Sequence, residues 1–223
     1  MFGYLIDFLF PKKCVGCDVY GKDLCNKCFR ELSIADDQIC PECGEESAMG
    51  WTHPRCKKEL GMDGLIVIYD YQDEVSKKVI DGIKFDFNKN LIKDLLKNFR
   101  FETGEKFDYL VPVPLHFYRE NWRGFNQAEE TALVVGKRMK IRVFDVLVRK
   151  RRTKQQSLIL DRKEREKNVK GAFEVSRENN KALKGKKVLL VDDVFTSGAD
   201  MRECTKILKK AGVEIVWGLA LAH

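Results

Sequence analysis

Nowhere does this chain approach the roughly 18 consecutive apolar residues that a membrane-crossing helix needs, which excludes an ordinary transmembrane helix. The opening Met1-Phe2-Gly3-Tyr4-Leu5-Ile6-Asp7-Phe8-Leu9-Phe10 has no basic start. It runs into Pro11-Lys12-Lys13 with no small-residue cleavage site, so a secretory leader is not expected either. There is no low-complexity tract, and no internal repeat beyond paired cysteine knuckles. With 44% hydrophobic and 34% charged residues, the composition is that of a globular chain and not of a disordered one. Eight cysteines are then expected in a reducing cytoplasm, where clustered thiols bind metal more often than they pair.

The cysteines are unevenly spread: seven lie between Cys14 and Cys56, and the eighth is Cys204. Charge divides the same way. Residues 1–63 carry 8 Lys+Arg against 11 Asp+Glu, whereas residues 137–187 carry 19 against 6. The net +7 of the whole chain points to anionic partners without naming one. The predicted division is a small module over residues 1–62 and a self-sufficient domain over residues 63–223, about 160 residues being enough to bury a core. The first ten residues place Phe2, Leu5, Ile6 and Leu9 at helical spacing before Pro11. Such a segment either docks on the main domain or makes a peripheral membrane contact at the inner face of the membrane.

The cysteine spacings are Cys14-x2-Cys17-x7-Cys25-x2-Cys28 and Cys40-x2-Cys43-x9-His53-x2-Cys56. Each Cys-x2-Cys is a tight turn that aims two thiolates at one ion, and two such turns complete a tetrahedron. Seven cysteines and His53 make eight ligands, enough for two closed Zn²⁺ sites with no position left for a catalytic water. The role is therefore structural, supplying the folding free energy that a module this small lacks. Sequential pairing is expected, with Cys14, Cys17, Cys25 and Cys28 on one ion and Cys40, Cys43, His53 and Cys56 on the other; a cross-braced arrangement is the alternative, which the sequence does not decide. An exposed loop histidine would look like His53, but His53 occupies the slot of the eighth ligand.

From Gly64 onward strands alternate with helices. Strands are expected over residues 65–69, 109–113, 188–191 and 214–221, and helices over 75–85, 90–99, 126–140 and 198–211. That alternation predicts an α/β fold with a mostly parallel central sheet. Cys204 falls in register with Met201, Ile207, Leu208 and Ala211 and reads as core; His116 reads as a loop hydrogen-bonding residue.

The strongest chemical signal is Val188-Leu189-Leu190-Val191-Asp192-Asp193-Val194-Phe195-Thr196-Ser197-Gly198-Ala199-Asp200. A buried strand ends in two carboxylates; a turn of hydroxyls and small residues follows, and a helix begins. Ligands in such sheets bind beyond the carboxyl ends of the strands, and the helix start offers unpaired N–H groups to a phosphate. Adjacent carboxylates can hold neighbouring sugar hydroxyls and help to position Mg²⁺. A sugar phosphate fits.

This segment resembles the phosphoribosyl pyrophosphate (PRPP) motif of type I phosphoribosyltransferases. Val111-Pro112-Val113-Pro114-Leu115-His116-Phe117-Tyr118-Arg119 leads into Arg123-Gly124-Phe125-Asn126-Gln127. Downstream, Thr153-Lys154-Gln155-Gln156-Ser157-Leu158 runs through Arg162 and Arg165 to Asn168-Val169-Lys170-Gly171-Ala172-Phe173. With the cysteine module, these stretches resemble the ComF family across essentially the whole chain. The resemblance implies a type I phosphoribosyltransferase-like fold behind a double zinc ribbon. It implies that Asp192 and Asp193 hold the ribose hydroxyls, that residues 194–200 wrap the 5′-phosphate, and that Arg119 and Arg123 face the diphosphate. Lys84, within Ile83-Lys84-Phe85, is a further implied phosphate ligand. Residues 150–168 correspond to a mobile loop that closes over the site. Asp200 stands where the family often has Thr, and a carboxylate beside a phosphate is repulsive unless it points away or caps the helix.

Catalysis in such a site needs no protein nucleophile; it rests on electrostatic stabilisation of the leaving diphosphate by Mg²⁺ and cations. The resemblance implies an acceptor-binding hood at the place in the sequence that the zinc module occupies, but nothing in the module reads as a pocket for a base. The resemblance also points to natural transformation: handling of incoming single-stranded DNA, alongside other DNA-uptake proteins. The basic run Arg149-Lys150-Arg151-Arg152, with Lys154, can neutralise several phosphates, or can be a solvated or active-site loop. Trp51 is the stacking candidate of the otherwise aromatic-poor module. Three readings stay open: a transferase, a PRPP-responsive regulator without turnover, and a purely nucleic-acid-binding factor.

Overall fold

Apolar runs set the centre of the structure. In the computed structural model, which describes residues 11–85, 88–100, 103–154 and 159–223, Val188, Leu189, Leu190 and Val191 are fully buried. A strand covered on both faces requires this. In chain order the described elements are α1 (Asn26–Glu31), β1 (Gly64–Tyr69), α2 (Glu74–Phe85), α3 (Asn90–Leu95), β2 (Tyr109–Pro112), α4 (Phe117–Arg123) and α5 (Gln127–Met139). There follow β3 (Arg142–Val143), β4 (Leu147–Arg149), α6 (Arg162–Val169), β5 (Phe173–Val175), β6 (Lys187–Val194), α7 (Ala199–Lys210) and β7 (Ile215–Ala222).

Five strands form one sheet in the order β1-β7-β6-β2-β3, and every pairing in it is parallel. One face of the sheet meets α2, α3 and α5 through Val79, Ile80, Ile83, Leu91, Ile92 and Val135, with Leu189 and Val191 beneath them. The other meets α7 and the β4–β5 pair through Met201, Cys204, Leu208, Leu147 and Phe173, over Val188 and Leu190. Each fully buried side chain of this size contributes about 1.5–3 kcal/mol relative to exposure. Cys204 is core, as its register implied.

Several elements depart from the sequence expectation. β6 does not stop at Val191 but runs through both carboxylates to Val194, because β7 extends far enough to pair Asp192 with Ala220 and Val194 with Ala222. The stretch after β2, expected as a loop, forms α4: His116 caps it by accepting from the Tyr118 N–H at 3.4 Å, and Gly124 ends it in the left-handed region. Residues 150–168 are not loop throughout. They rise from an antiparallel β4–β5 stem and contain α6, whose start is capped by Asp161. The N-terminal segment 1–10 lies outside the described residues.

The cysteine module sits on the β1 edge of the sheet and closes it. The Ala35 N–H donates to the Ile68 carbonyl at 2.9 Å and the Asp70 N–H to the Ser33 carbonyl at 2.9 Å. The Gln38 amide completes the edge, accepting from the Val67 N–H at 2.8 Å and donating to its carbonyl at 2.9 Å. An exposed parallel edge is thereby paired instead of being left as a template for association. Trp51 joins this packing, meeting the buried Trp217 at a steep angle with ring centroids 4.7 Å apart, while it remains 39% exposed. No helix among the described residues is long and apolar enough to cross a membrane.

Candidate functional site

The metal-ligating side chains gather sequentially. Cys14, Cys17, Cys25 and Cys28 form one group and Cys40, Cys43, His53 and Cys56 the other, each with its ligand atoms within 4.8 Å of one another. Four soft donors at that spacing fit a tetrahedral Zn²⁺. Backbone donors favour the thiolates: the Cys28 N–H donates to Cys25 Sγ at 3.4 Å, which draws the Cys25 thiol down to about 6, and the Cys25 N–H donates to Cys14 Sγ at 3.3 Å. In the second group His53 Nε2 lies 3.0 Å from the Glu46 carbonyl. A carbonyl only accepts, so Nε2 carries the proton and Nδ1, 3.4 Å from Cys43 Sγ, keeps its lone pair for the metal. Such an outer contact fixes the tautomer and ring of a ligating histidine.

The second site lies at the carboxyl end of β6. A pocket of about 490 Å³ is lined by Lys84, Arg149, Arg165 and residues 192–201, together with Tyr71, Lys77 and Asp81. That volume suits a small phosphorylated ligand. Side chains alternate along a strand, so Asp193 continues the Leu189–Val191 face toward α2, whereas Asp192 continues the Val188–Leu190 face toward α7. Lys84, on α2, stands 3.6 Å from Asp193. Asp192 keeps partial solvent access, but the protein packed round its carboxyl, with Asp193 and Asp200 nearby, pushes it well above the usual carboxylate range; Lys84 offsets this only partly. Asp192, Asp193 and Asp200 thus crowd one corner of the pocket, where Lys84 stands beside Asp193.

The turn after β6 is shaped by Gly198, whose φ of +66° opens α7; a Cβ there would come within 2.3 Å of the Phe195 ring. Phe195 is held in turn by its N–H donating to the Ala222 carbonyl and by its carbonyl, 2.6 Å from His223 Nδ1. This contact of His223 depends on β7 ending beside β6. Ala199 is buried here, and Thr196 is exposed at the turn.

Asp200 neither caps α7 nor faces an unbalanced field. Arg149 lies 3.0 Å from it, donates to Thr153 Oγ1 at 2.6 Å, and sits over the Phe173 ring at 4.8 Å. Arg149 is thus buried at the end of β4 and lines the pocket. The rest of the run is exposed and makes local contacts. Lys150 pairs with Glu174 at 3.0 Å. Arg151 donates to the carbonyls of Asn168 and Lys170 at the end of α6, and the Lys154 backbone is clasped by Asn168. Arg152 instead lies over Tyr118 of α4, 5.5 Å from the ring centroid. Arg119 and Arg123 stand on α4 after β2, beside the pocket wall formed by Val113, Pro114 and Leu115; their side chains lie outside the described residues.

Sequence reasoning missed Arg202. It is buried on α7, where its Nε donates to the Pro41 carbonyl at 3.1 Å, its Nη2 to the same oxygen and its Nη1 to the Ser197 carbonyl. Its Ser197 partner lies in the turn that opens α7, but the Pro41 partner is 161 residues away, and nothing local to Arg202 marks it.

A parallel sheet, with an acidic pair closing a central strand and a glycine turn opening the next helix, defines the phosphoribosyltransferase-like class. The chain belongs to that family: the phosphoribosyl transferase domain matches residues 88–222, and the double zinc ribbon domain matches residues 5–58. Among its relatives are Competence protein F of Haemophilus influenzae, 28% identical over 96% of this chain and 98% of that protein, and Competence protein ComFC of Bacillus subtilis, 26% identical over 85% and 79%. DNA utilization protein YhgH of Escherichia coli K12 is 26% identical over 86% and 87%. These matches bear out the resemblance to the ComF family.

Proposed function

We propose that the chain binds PRPP with Mg²⁺ at the end of β6 and acts in DNA uptake or utilisation, the setting its relatives' names describe. The observation that carries the ligand reading is the convergence of Asp192, Asp193 and the Thr196–Ser197–Gly198 turn on one pocket with Lys84 and Arg149. Asp192 and Asp193 accept from the ribose hydroxyls; the backbone and hydroxyls of residues 194–200 receive the 5′-phosphate. Lys84, with Arg119 and Arg123, answers the diphosphate. Bound Mg²⁺ supplies charge neutralisation of that diphosphate. The cysteine clusters hold two structural Zn²⁺ ions.

Calorimetric titration of PRPP with Mg²⁺ into zinc-loaded wild type and Asp192→Asn/Asp193→Asn tests the reading. Binding that is lost in the variant at unchanged zinc content supports it; no binding to the wild type overturns it. Pyrophosphate release with candidate acceptors then separates a transferase from a regulator.

One surface favours a direct nucleic-acid contact as well. Phe117, Tyr118 and Trp122 of α4 are each more than 60% exposed, and Arg152 lies over Tyr118. Aromatic faces beside guanidinium groups suit the stacking of unpaired bases. Retention of labelled single-stranded DNA should fall with rising salt and be weakened by Tyr118→Ala/Trp122→Ala and by Arg152→Ala. Salt-insensitive or absent retention removes this reading and leaves the PRPP site untouched.

A further inference from the structure

We propose that Arg202 is a positioning residue that couples the second metal cluster to the phosphate turn, so that metal loading and pocket occupancy favour each other. The inference rests on the PRPP reading for its ligand, but its structural basis does not.

The geometry is a relay of three parts. Pro41 lies between two ligands of the second cluster, Cys40 and Cys43, so the direction of its carbonyl is set by how those two thiolates are held. Arg202 delivers two guanidinium nitrogens to that carbonyl, and a third to the carbonyl of Ser197, inside the turn that lines the pocket. In a planar trans peptide the C=O and N–H point oppositely. Drawing the Ser197 carbonyl onto Arg202 therefore fixes the Gly198 N–H on the far side of that peptide. An anion bound in the pocket needs such fixed N–H donors.

The relay is built to transmit. Arg202 is 8% exposed and its guanidinium is flanked by the Phe195 ring at 5.6 Å, so it cannot swing to solvent. The planar fork reaches both carbonyls at once, which a lysine ammonium does not. The knuckle is tied a second time from α6, where Arg162 donates to the Glu42 carbonyl at 2.6 Å, while the Glu42 carboxylate faces Arg202 at 4.0 Å and Lys58 at 2.7 Å. A cluster that loses its metal loses the fixed Cys40–Cys43 turn, hence the Pro41 anchor, hence the set of the Ser197–Gly198 peptide.

Coupling between two sites is reciprocal, which gives a readout that does not depend on turnover. Cobalt substitution distinguishes the clusters, since the four-sulfur group and the three-sulfur, one-nitrogen group absorb differently. In the wild type, Mg²⁺ with PRPP should slow chelator-driven loss of metal from the second cluster by about fivefold or more and leave the first unaffected. Arg202→Lys, with both clusters loaded and its fold checked by circular dichroism, should abolish that protection. A ligand effect of equal size in Arg202→Lys, or protection of both clusters alike, would overturn the proposal.

A second arm needs no ligand. Gly198→Ala displaces the turn against Phe195; it should speed metal loss from the second cluster in the wild-type background and have no such effect in Arg202→Lys. Equal effects in both backgrounds would sink the relay. Absence of PRPP binding to the loaded wild type would refute the ligand reading alone, this second arm still deciding the coupling.

Discussion

Arg149 and Asp200 form an ion pair at 3.0 Å at the point where the β4 root of the 150–168 segment meets the first turn of α7. The pair accounts for an acidic residue at a position proposed to receive phosphate. The guanidinium balances the carboxylate, is itself braced by Thr153 and Phe173, and leaves the backbone of the turn to face the pocket.

Removing one member should therefore cost more than removing both. Arg149→Met leaves a partly buried carboxylate without its cation and should lower stability by about 3 kcal/mol, read by urea unfolding. Arg149→Met/Asp200→Thr should recover most of that loss. Equal destabilisation in single and double variants would mean that the pair is not coupled.

The raised pKa of Asp192 has two consequences of definite sign. The folded state holds this proton more tightly than the unfolded chain does, so its contribution to stability is full below the unfolded carboxylate range and lost as pH rises through the folded value. Ligand hydroxyls and a cation need the ionised form, so affinity for PRPP with Mg²⁺ should strengthen over the same rise. Both trends should be smaller in Asp192→Asn, compared with wild type by unfolding and calorimetric titration across pH 5 to 8.

Gly198→Ala should weaken PRPP binding with little loss of helix content. A left-handed backbone costs an L-residue about 1–2 kcal/mol, and the new Cβ must push Phe195 aside. Titration beside circular dichroism separates the local effect from unfolding.

Zinc analysis should find two ions per chain. His53→Ala should lose one and His53→Cys should keep both, because a thiolate at that place restores a fourth ligand. Chelation of both should unfold the module and expose the β1 edge, seen as new amide exchange at Val67 and Asp70, whose N–H groups donate to Gln38 and Ser33. Two ions retained in His53→Ala would remove His53 from the ligand set.

Much of this protein was written locally. Val188 to Val191 specify a two-sided strand by composition, the Cys-x2-Cys turns specify metal knuckles by spacing, and the Asp192–Asp193 pair with Gly198 marks the strand-to-helix turn. These are short-range patterns, and short-range patterns survive in a linear string. What the string withheld was long-range. The pairing of ligands within each cluster, the continuation of β6 to Val194, the burial of Arg149 against Asp200 and the hold of Arg202 on Pro41 all depend on partners from more than ten to more than a hundred residues away. A basic residue in a run of four looks solvated until a sheet and a helix close over it. Residue chemistry and spacing determined the class of site; packing alone decided which charges face it, which are neutralised, and what the metal module touches.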